Sequence, residues 1–397
     1  MKKLKVMILH YIIAPYRNPL FEKLSKKYDL TVYFCKENNK DRNWSTKLDN
    51  YSFKYKILPH KDVGPFVLNK TLKKELKEND FDIYILFENP ENAFSIKKII
   101  QFAKKYNKKL ICVNGRKEDE IYTLKDLKES KNPLKKYFYW FSKLMYKNYR
   151  EKIYRKFDSF TSYCDATTNH LISKDMLQHK IFTGIQNYPE SLLPKPTWKT
   201  KPKEFKDKNV IFHIGYLNER KGVNYLIESF NKLDRKDAVL LIAGTGDQEE
   251  KLKELAKDNS NIKFLGYMDG IDKANHYSIA DFFVFPTLYD VWGHVVTEAL
   301  YYGSPVICTD KAEAKELIEE GKTGFIIPDK DSDALAEAMK KLLDNPKLLT
   351  QMKENVKKIP KSKIVDIQTT VKTFEDAINY ALKHSNETTK TEIKIKK

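Results

Sequence analysis

Two carboxylates stand in the segment Pro286–Ile307, where their side chains could bind a polar ligand. Asp290 and Glu298 lie eight positions apart and flank Gly293. Taken alone, Asp290 fits equally well as the cap of a following helix. Glu298 stands among apolar residues, where an ionised side chain is costly unless it meets partners such as sugar or ribose hydroxyls. The pair therefore points to a ligand rich in hydroxyl groups.

The elements around these carboxylates would place them at the edge of a parallel sheet. The apolar run Phe282–Phe285 predicts a buried strand. Residues 295–302 predict a helix that Gly303 terminates, and a further strand begins at Val306. Both carboxylates then face the crevice at the carboxyl end of a strand, where open α/β sheets bind ligands.

The same strand, loop and helix order recurs through both halves of the chain. In the first half, the pattern predicts strands at 4–9, 30–35, 81–87 and 110–113. In the second half, it predicts strands at 209–214, 239–243, 262–266, 282–285, 306–308 and 324–328. Alternating strands and helices indicate an α/β fold with doubly wound parallel sheets.

The window PTLYDVWGHVVTEALYYGSPVI resembles the signature of family 4 glycosyltransferases with the GT-B fold. In that family two acidic residues eight apart bracket a glycine, here Gly293. The resemblance implies that Asp290 contacts the donor sugar and that Glu298 holds the ribose of the nucleotide. The first position is an aspartate here, whereas the family usually has glutamate.

A second string, HIGYLNERKGVNYLIESF, resembles the phosphate loop of the same family. Gly215 and Gly222 fall on family glycines, and Lys221 falls on the lysine that contacts the donor diphosphate. Tyr216 occupies the place of the family arginine. Arg220, beside Lys221, is the candidate to supply the missing charge, although its position is not the matching one.

Three further residues complete the candidate site. Gly244 and Gly246 match a family turn, and such glycines let the backbone approach either a phosphate or a neighbouring strand closely. Arg17 follows an Ala-Pro-Tyr sequence found in some family members, and we predict a phosphate contact for it. A solvated arginine at a helix start is the alternative for Arg17.

The resemblance implies two Rossmann-like domains that face each other across a cleft. We expect an acceptor-binding domain at residues 1–200, with a helix at 364–384 packing back on it. A nucleotide-sugar-binding domain is expected at residues 205–360, and a disordered, lysine-rich tail at 385–397.

The resemblance also implies a reaction. A sugar would move, with retention at the anomeric carbon, from a UDP- or GDP-linked donor to a hydroxyl of a glycan or lipid-linked acceptor. This would serve cell-surface polysaccharide or glycolipid assembly, and we expect neither a metal nor another cofactor. A noncatalytic GT-B partner subunit and another GT-B enzyme, such as a nucleotide-sugar epimerase, remain open alternatives.

Composition limits the class of protein and the partners it attracts. The 397 residues are 41% hydrophobic and 32% charged, as in a folded enzyme of two domains. The four cysteines are scattered, which favours core residues in a reducing cytosol. The net charge of +19 indicates attraction to an anionic partner.

Residues 132–160 interleave lysines and arginines with aromatic residues. A basic amphipathic helix of this kind is typical of proteins that lie on an anionic membrane surface. We therefore expect a cytoplasmic protein, with peripheral binding to the cytoplasmic face of a membrane as an open question. An ordinary surface helix, with Leu134, Phe138, Phe141 and Met145 packed on its own domain, is the alternative. No nucleic-acid-binding module is recognised, so we expect no nucleic-acid partner.

Polar clusters at residues 88–91 and 114–118 follow two strands of the first half. Their position at strand carboxyl ends predicts an acceptor site. Turn formation by Asn114 and Gly115 is the alternative. The sequence identifies no acceptor-side base.

Overall fold

The computed structural model describes residues 3–38, 44, 46–64, 66–115, 132–184, 186 and 188–384. The chain divides into two compact units. The first comprises residues 1–186 and 368–397, and the second comprises residues 187–367. Within the described ranges, no helix is long and apolar enough to cross a membrane.

The first unit is built on a seven-stranded parallel sheet in the order β3-β2-β1-β6-β7-β8-β9. Its strands are β1 Lys5–His10, β2 Asp29–Phe34, β3 Lys54–Ile57, β6 Ile83–Phe87, β7 Lys109–Asn114, β8 Ser159–Ser162 and β9 Ile181–Thr183. A separate antiparallel hairpin joins β4 His60–Val63 to β5 Phe66–Asn69.

Helices cover the first sheet, so its central strands are apolar on both faces. The described helices are α1 Asn18–Lys27, α2 Leu72–Glu78, α3 Ala93–Lys105, α4 Pro133–Tyr154, α5 Asp165–Ser173 and the C-terminal helix Ile367–Lys383. The C-terminal helix, apart from its first residue, belongs to this unit. It docks through Phe374, which stacks on Phe87, and through the carbonyl of Ala377, which accepts a hydrogen bond from Ser159.

The second unit contains a six-stranded parallel sheet in the order β12-β11-β10-β13-β14-β15. Its strands are β10 Asn209–Ile214, β11 Ala238–Ala243, β12 Ile262–Gly266, β13 Phe282–Phe285, β14 Val306–Thr309 and β15 Gly324–Ile327. Its helices are α6 Val223–Leu233, α7 Glu249–Ala256, α8 Gly270–Ile279, α9 His294–Tyr301, α10 Ser332–Leu343, α11 Pro346–Lys357 and α12 Lys361–Ile364, which makes the C-terminal helix α13.

Each sheet has a topological switch point, where the strand order reverses and ligands of open α/β folds bind. In the second sheet this point lies between β10 and β13, which are paired although they are distant in sequence. In the first sheet it lies between β1 and β6. The doubly wound α/β prediction is therefore confirmed, and the loops after β1, β10 and β13 contain Arg17, Arg220, Lys221 and Asp290.

The observed division of the chain differs from the predicted limits at both ends of the second domain, which was expected at residues 205–360 and is observed at residues 187–367. We predicted that the first domain extends to residue 200, whereas residues 187–200 belong to the second unit. One reason is that Asn275 of α8 accepts hydrogen bonds from the backbone amides of Thr197 and Trp198. The predicted tail at residues 385–397 lies outside the described residues.

Candidate active site

Two cations and one carboxylate meet at the switch point of the second sheet. Lys221 and Arg220 lie in the loop after β10, and Asp290 lies in the loop after β13. The Lys221 Nζ atom is 2.6 Å from Asp290 Oδ2, and Arg220 Nη1 is 3.0 Å from the same oxygen. The structure thus brings together three of the residues predicted from sequence.

The charge state of Asp290 follows from its neighbours. Burial alone would raise the pKa of this carboxyl group, but the charges and hydrogen bonds of Lys221 and Arg220 hold the pKa below its ordinary value. Asp290 is therefore an ionised carboxylate at neutral pH. Because two cations share one anion, the cluster carries a net positive charge that suits a phosphate ligand.

The two loops are tied to each other through their backbones. Gly222 has a φ of +65°, and a Cβ atom there would lie 2.1 Å from the carbonyl oxygen of Pro286. Any larger residue would force the loops apart. The carbonyl of Arg220 also accepts hydrogen bonds from the Leu288 amide at 2.8 Å and the Thr287 hydroxyl at 3.1 Å. This framework fixes the position of the cations.

Gly293 and Lys221 lie on the same aromatic ring. Gly293 has a φ of +97°, and a Cβ atom there would lie 2.7 Å from the ring of Phe285, at the end of β13. Lys221 Nζ lies 4.7 Å from the centre of that ring. Gly293 therefore leaves room for the aromatic ring that supports the lysine.

The other predicted glycines pack loop against loop. A Cβ atom on Gly244 would lie 1.8 Å from the carbonyl oxygen of Gly215, and one on Gly246 would lie 2.2 Å from that of Leu217. Of the two roles proposed from sequence, close approach to neighbouring backbone is the one that the structure displays for Gly244 and Gly246. Gly215 has more room, since its nearest neighbour would be His213 Nε2 at 3.5 Å.

His213 was not singled out in the sequence, and it lies beside Gly215. Its Nδ1 atom is 2.9 Å from the carbonyl oxygen of Val284, so Nδ1 carries the proton and donates. Its Nε2 atom has no hydrogen-bond partner among the described residues. Burial, together with the charge of Lys221, lowers the pKa of His213 to about 4. The ring is therefore neutral at physiological pH.

Glu298 lies on α9 and is paired with two residues of α8. Lys273 Nζ is 2.6 Å from Glu298 Oε1, and the Tyr277 hydroxyl donates to Oε2 at 3.0 Å. Glu298 is only 3% exposed. Its charge is thus compensated inside the protein, which explains how a carboxylate is tolerated among apolar residues.

Lys273 and Tyr277 are the main site residues that sequence reasoning missed. Lys273 Nζ lies 5.7 Å from the centre of the Tyr188 ring. Tyr277 stacks on Tyr302 and is fully buried. Burial and the charge of Glu298 raise the pKa of Tyr277 well above its ordinary value, so its hydroxyl remains a donor. An aromatic lining therefore surrounds the Lys273–Glu298 ion pair.

Arg17 lies in the first unit, after β1, and is buried. Its guanidinium lies 4.6 Å from the centre of the Tyr163 ring and 5.3 Å from that of Phe87. With 5% exposure it is not the solvated arginine of the alternative interpretation. Burial and the charge of Arg17 lower the pKa of His10 to about 3. The phosphate contact predicted for Arg17 stays a prediction.

The polar groups after β6 and β7 are largely engaged by α4. Glu88 forms a buried ion pair with Arg150 at 3.2 Å and accepts a hydrogen bond from the Tyr146 hydroxyl. Asn114 donates to the Tyr154 hydroxyl at 2.9 Å. Glu88 and Asn114 therefore anchor a helix, and the acceptor role predicted for them stays a prediction. Residues 116–118 of the second cluster lie outside the described residues.

The contacts with Glu88 and Asn114 orient α4 so that a different face is buried from the one that the surface-helix alternative predicted. Its buried residues are Tyr139, Tyr146, Arg150, Ile153 and Tyr154. Seven large apolar residues of the helix are at least half exposed, namely Leu134, Tyr137, Phe138, Trp140, Phe141, Leu144 and Met145. The apolar stripe that the alternative interpretation packs on its own domain is thus exposed in the described structure.

Residues 194–359 match the family model described as glycosyl transferases group 1. A phosphatidyl-myo-inositol mannosyltransferase from Mycobacterium leprae is 33% identical over 141 residues, covering 35% of this chain and 38% of the relative. An alpha-D-kanosaminyltransferase from Streptomyces kanamyceticus is 29% identical over 162 residues, covering 40% of this chain and 42% of the relative. The chain thus spans about two fifths of the length of these relatives. The matched segment contains every candidate site residue of the second unit.

Solved structures share the fold of nearly the whole chain. HepE from Anabaena, solved with UDP, has a TM-score of 0.72 at 14% identity and covers 95% of this chain and 100% of its own. A glycosyltransferase from Rickettsia africae has a TM-score of 0.73 at 16% identity and covers 97% of this chain and 100% of its own. The resemblance to GT-B glycosyltransferases is therefore confirmed, and the chain has the GT-B fold with two Rossmann-like domains.

Proposed function

We propose that this chain, whose residues 194–359 match the group 1 glycosyl transferase model, is a retaining glycosyltransferase that uses a nucleotide diphosphate sugar. The observation that carries the proposal is the cluster of Lys221, Arg220 and Asp290 at the switch point of the second sheet. During transfer the bond between the anomeric carbon and the diphosphate breaks, a bond to the acceptor oxygen forms, and the proton of the acceptor hydroxyl passes to the departing diphosphate. The charge left on the diphosphate must be stabilised, and fixed cations do this well.

In this proposal each charged group has a distinct task. Lys221 and Arg220 stabilise the leaving diphosphate together with the N-terminus of α6, so the step needs no metal. Asp290 orients the donor sugar. Glu298 holds the ribose. Both Glu298 oxygens already accept one hydrogen bond, but each has a second lone pair that can receive a ribose hydroxyl.

The similar proteins suggest the class of donor and product. Solved structures of HepE contain UDP and UDP-glucose, which supports a UDP-linked donor, with a GDP-linked donor as the other option. One relative is a capsular polysaccharide biosynthesis glycosyltransferase of Staphylococcus aureus. We therefore infer that the acceptor is a glycan or lipid-linked glycan in cell-surface polysaccharide or glycolipid assembly, at the cytoplasmic face of the membrane.

Ligand-induced thermal stabilisation tests the donor site. The purified protein would be melted with UDP, GDP, ADP and their sugars. A ligand at 100 times its dissociation constant stabilises the native state by about 2.7 kcal/mol. We expect one nucleotide to shift the melting temperature selectively and its sugar conjugate to support transfer. Isomerised donor without transfer would instead indicate an epimerase, and no shift with any nucleotide would favour a noncatalytic subunit.

We further propose that α4 binds an anionic membrane surface, where a lipid-linked acceptor would be located. Its exposed aromatic and aliphatic residues alternate with Lys135, Lys136, Lys143 and Lys147. Apolar side chains can enter the headgroup region while the lysines meet anionic lipids. The buried Glu88–Arg150 pair fixes the other end of the helix to the sheet. This complementarity of charge and apolar surface supports the membrane as the partner.

Flotation with liposomes tests this surface. Each lysine near an anionic bilayer contributes about 1 kcal/mol, so replacing these four by alanine should reduce partitioning about a thousandfold. The matched control replaces four exposed lysines of the same unit, at positions 70, 73, 74 and 77. We expect the wild type and the control to float with phosphatidylglycerol vesicles but not with phosphatidylcholine vesicles. Equal loss in both variants would show that only the overall charge matters.

A further inference from the structure

Asp290 is paired with the two cations that a diphosphate would need. A single oxygen, Oδ2, contacts both Lys221 and Arg220, at 2.6 and 3.0 Å. The side chains of Lys221 and Asp290 are 11% and 16% exposed, so water screens their attraction only weakly. A diphosphate that enters this cluster must therefore displace or share a resident anion.

The carboxylate is held in place independently of the cations. Its other oxygen, Oδ1, accepts a hydrogen bond from the Trp292 amide at 3.3 Å. The Asp290 amide donates to the carbonyl of Lys311 at 3.1 Å, and the Asp290 carbonyl accepts from the Glu313 amide at 3.2 Å. Arg220 is in turn held by the carbonyl of Tyr289 at 2.6 Å. The anion and its partners are thus preorganised before any ligand binds.

We propose that Asp290 is a resident counterion that competes with the diphosphate for Lys221 and Arg220 and thereby limits the affinity of the site for the free diphosphate product. This inference rests on the proposed function. With Asp290 ionised, the cluster has a net charge of one positive unit. Without it, the same two cations would hold any diphosphate more tightly. The carboxylate therefore favours release of the product once the sugar has left.

The test measures binding of inorganic pyrophosphate by calorimetry to the wild type and to Asp290→Asn. The substitution keeps the shape of the side chain and removes its charge. We expect pyrophosphate to bind Asp290→Asn about 10-fold or more tightly than the wild type, because one repulsive charge is lost. Asp290→Glu keeps the charge and should retain weak binding.

Asp281→Asn is the matched control. Asp281 is also a buried carboxylate between two cations, Lys201 at 2.5 Å and Lys353 at 2.6 Å, in the same unit but on the N-terminal side of β13. This variant should bind pyrophosphate as the wild type does. If Asp290→Asn is unstable without ligand, the same inference predicts a larger rise in its melting temperature with pyrophosphate than the wild type shows.

The outcomes separate this inference from the proposed function. Wild-type binding that Lys221→Ala abolishes, with no gain in Asp290→Asn, would overturn the resident-counterion proposal and leave the donor site standing. Absence of pyrophosphate and nucleotide binding in every variant would overturn both. An equal gain in Asp281→Asn and Asp290→Asn would also overturn the inference, because a nonspecific change in charge would then explain the effect.

Discussion

Replacing Glu298 by alanine should lower the free energy of unfolding of the second unit by about 3–5 kcal/mol, because it leaves a buried cation without its partner. The Lys273 side chain is only 15% exposed. Its burial lowers the pKa, and the charge of Glu298 overcomes that effect and raises it above the ordinary value. Without Glu298, only the cost of burial remains. Tyr277 also loses an acceptor for its hydroxyl.

A double-mutant cycle in urea would measure this coupling. Lys273→Met removes the cation and retains an apolar chain, so the variant with both substitutions should recover much of the stability lost in Glu298→Ala. The exposed pair Glu254–Lys257 provides the matched control, since its side chains are 70% and 58% exposed. The double-mutant cycle at this exposed pair should give a coupling energy of less than about 1 kcal/mol. A cost of the same size at both pairs would contradict the assigned role of burial.

This result bears on how Glu298 should be tested for donor binding. Loss of transfer in Glu298→Ala would mix a damaged helix contact with a lost ribose contact. Glu298→Gln keeps the size of the side chain and one carbonyl acceptor for Tyr277 or Lys273. A lower affinity for the nucleotide in a folded Glu298→Gln variant would support ribose binding. Unchanged affinity would restrict Glu298 to pairing α8 with α9.

The sequence was most informative where a pattern repeats locally. Apolar runs such as Phe282–Phe285 predicted strands because buried parallel strands are apolar on both faces. Gly222 matched a glycine of the family phosphate loop, and its positive φ and the closeness of the Pro286 carbonyl explain why glycine is needed there. The helix predicted at residues 295–302 is present at His294–Tyr301. Strand order then placed the loops of Lys221 and Asp290 side by side.

The sequence was least informative about which side chains pair across the fold. Glu298 and Lys273 lie on different helices, and nothing in their local sequences predicts an ion pair. Arg150 belongs to the basic residues of 132–160, which the sequence assigned as a group to an anionic membrane surface. Its burial against Glu88 depends on how α4 meets the strand ends, which no single periodicity specifies. The exposed and buried faces of α4 could not be assigned for the same reason.

Lys221→Ala should have the largest effect on catalysis. A hydrogen bond to a charged group contributes about 1.5–3 kcal/mol, so nucleoside diphosphate affinity should fall about 10- to 100-fold. Transfer should fall further, because the diphosphate gains charge as its bond to the sugar breaks. The measurements are calorimetric nucleotide binding and the rate of sugar transfer at saturating donor.

Lys353→Ala is the matched control for Lys221→Ala. Lys353 also shares a carboxylate with a second cation, since Asp281 is held by both Lys353 and Lys201. Both substitutions therefore remove one of two cations from a buried carboxylate, but only Lys221 lies at the switch point beyond the carboxyl end of β10. We expect Lys353→Ala to lose stability and keep donor affinity. If the two variants lose donor affinity equally, the loss reflects damage to the unit and Lys221 has no special place in the site. If neither loses affinity, the diphosphate binds elsewhere.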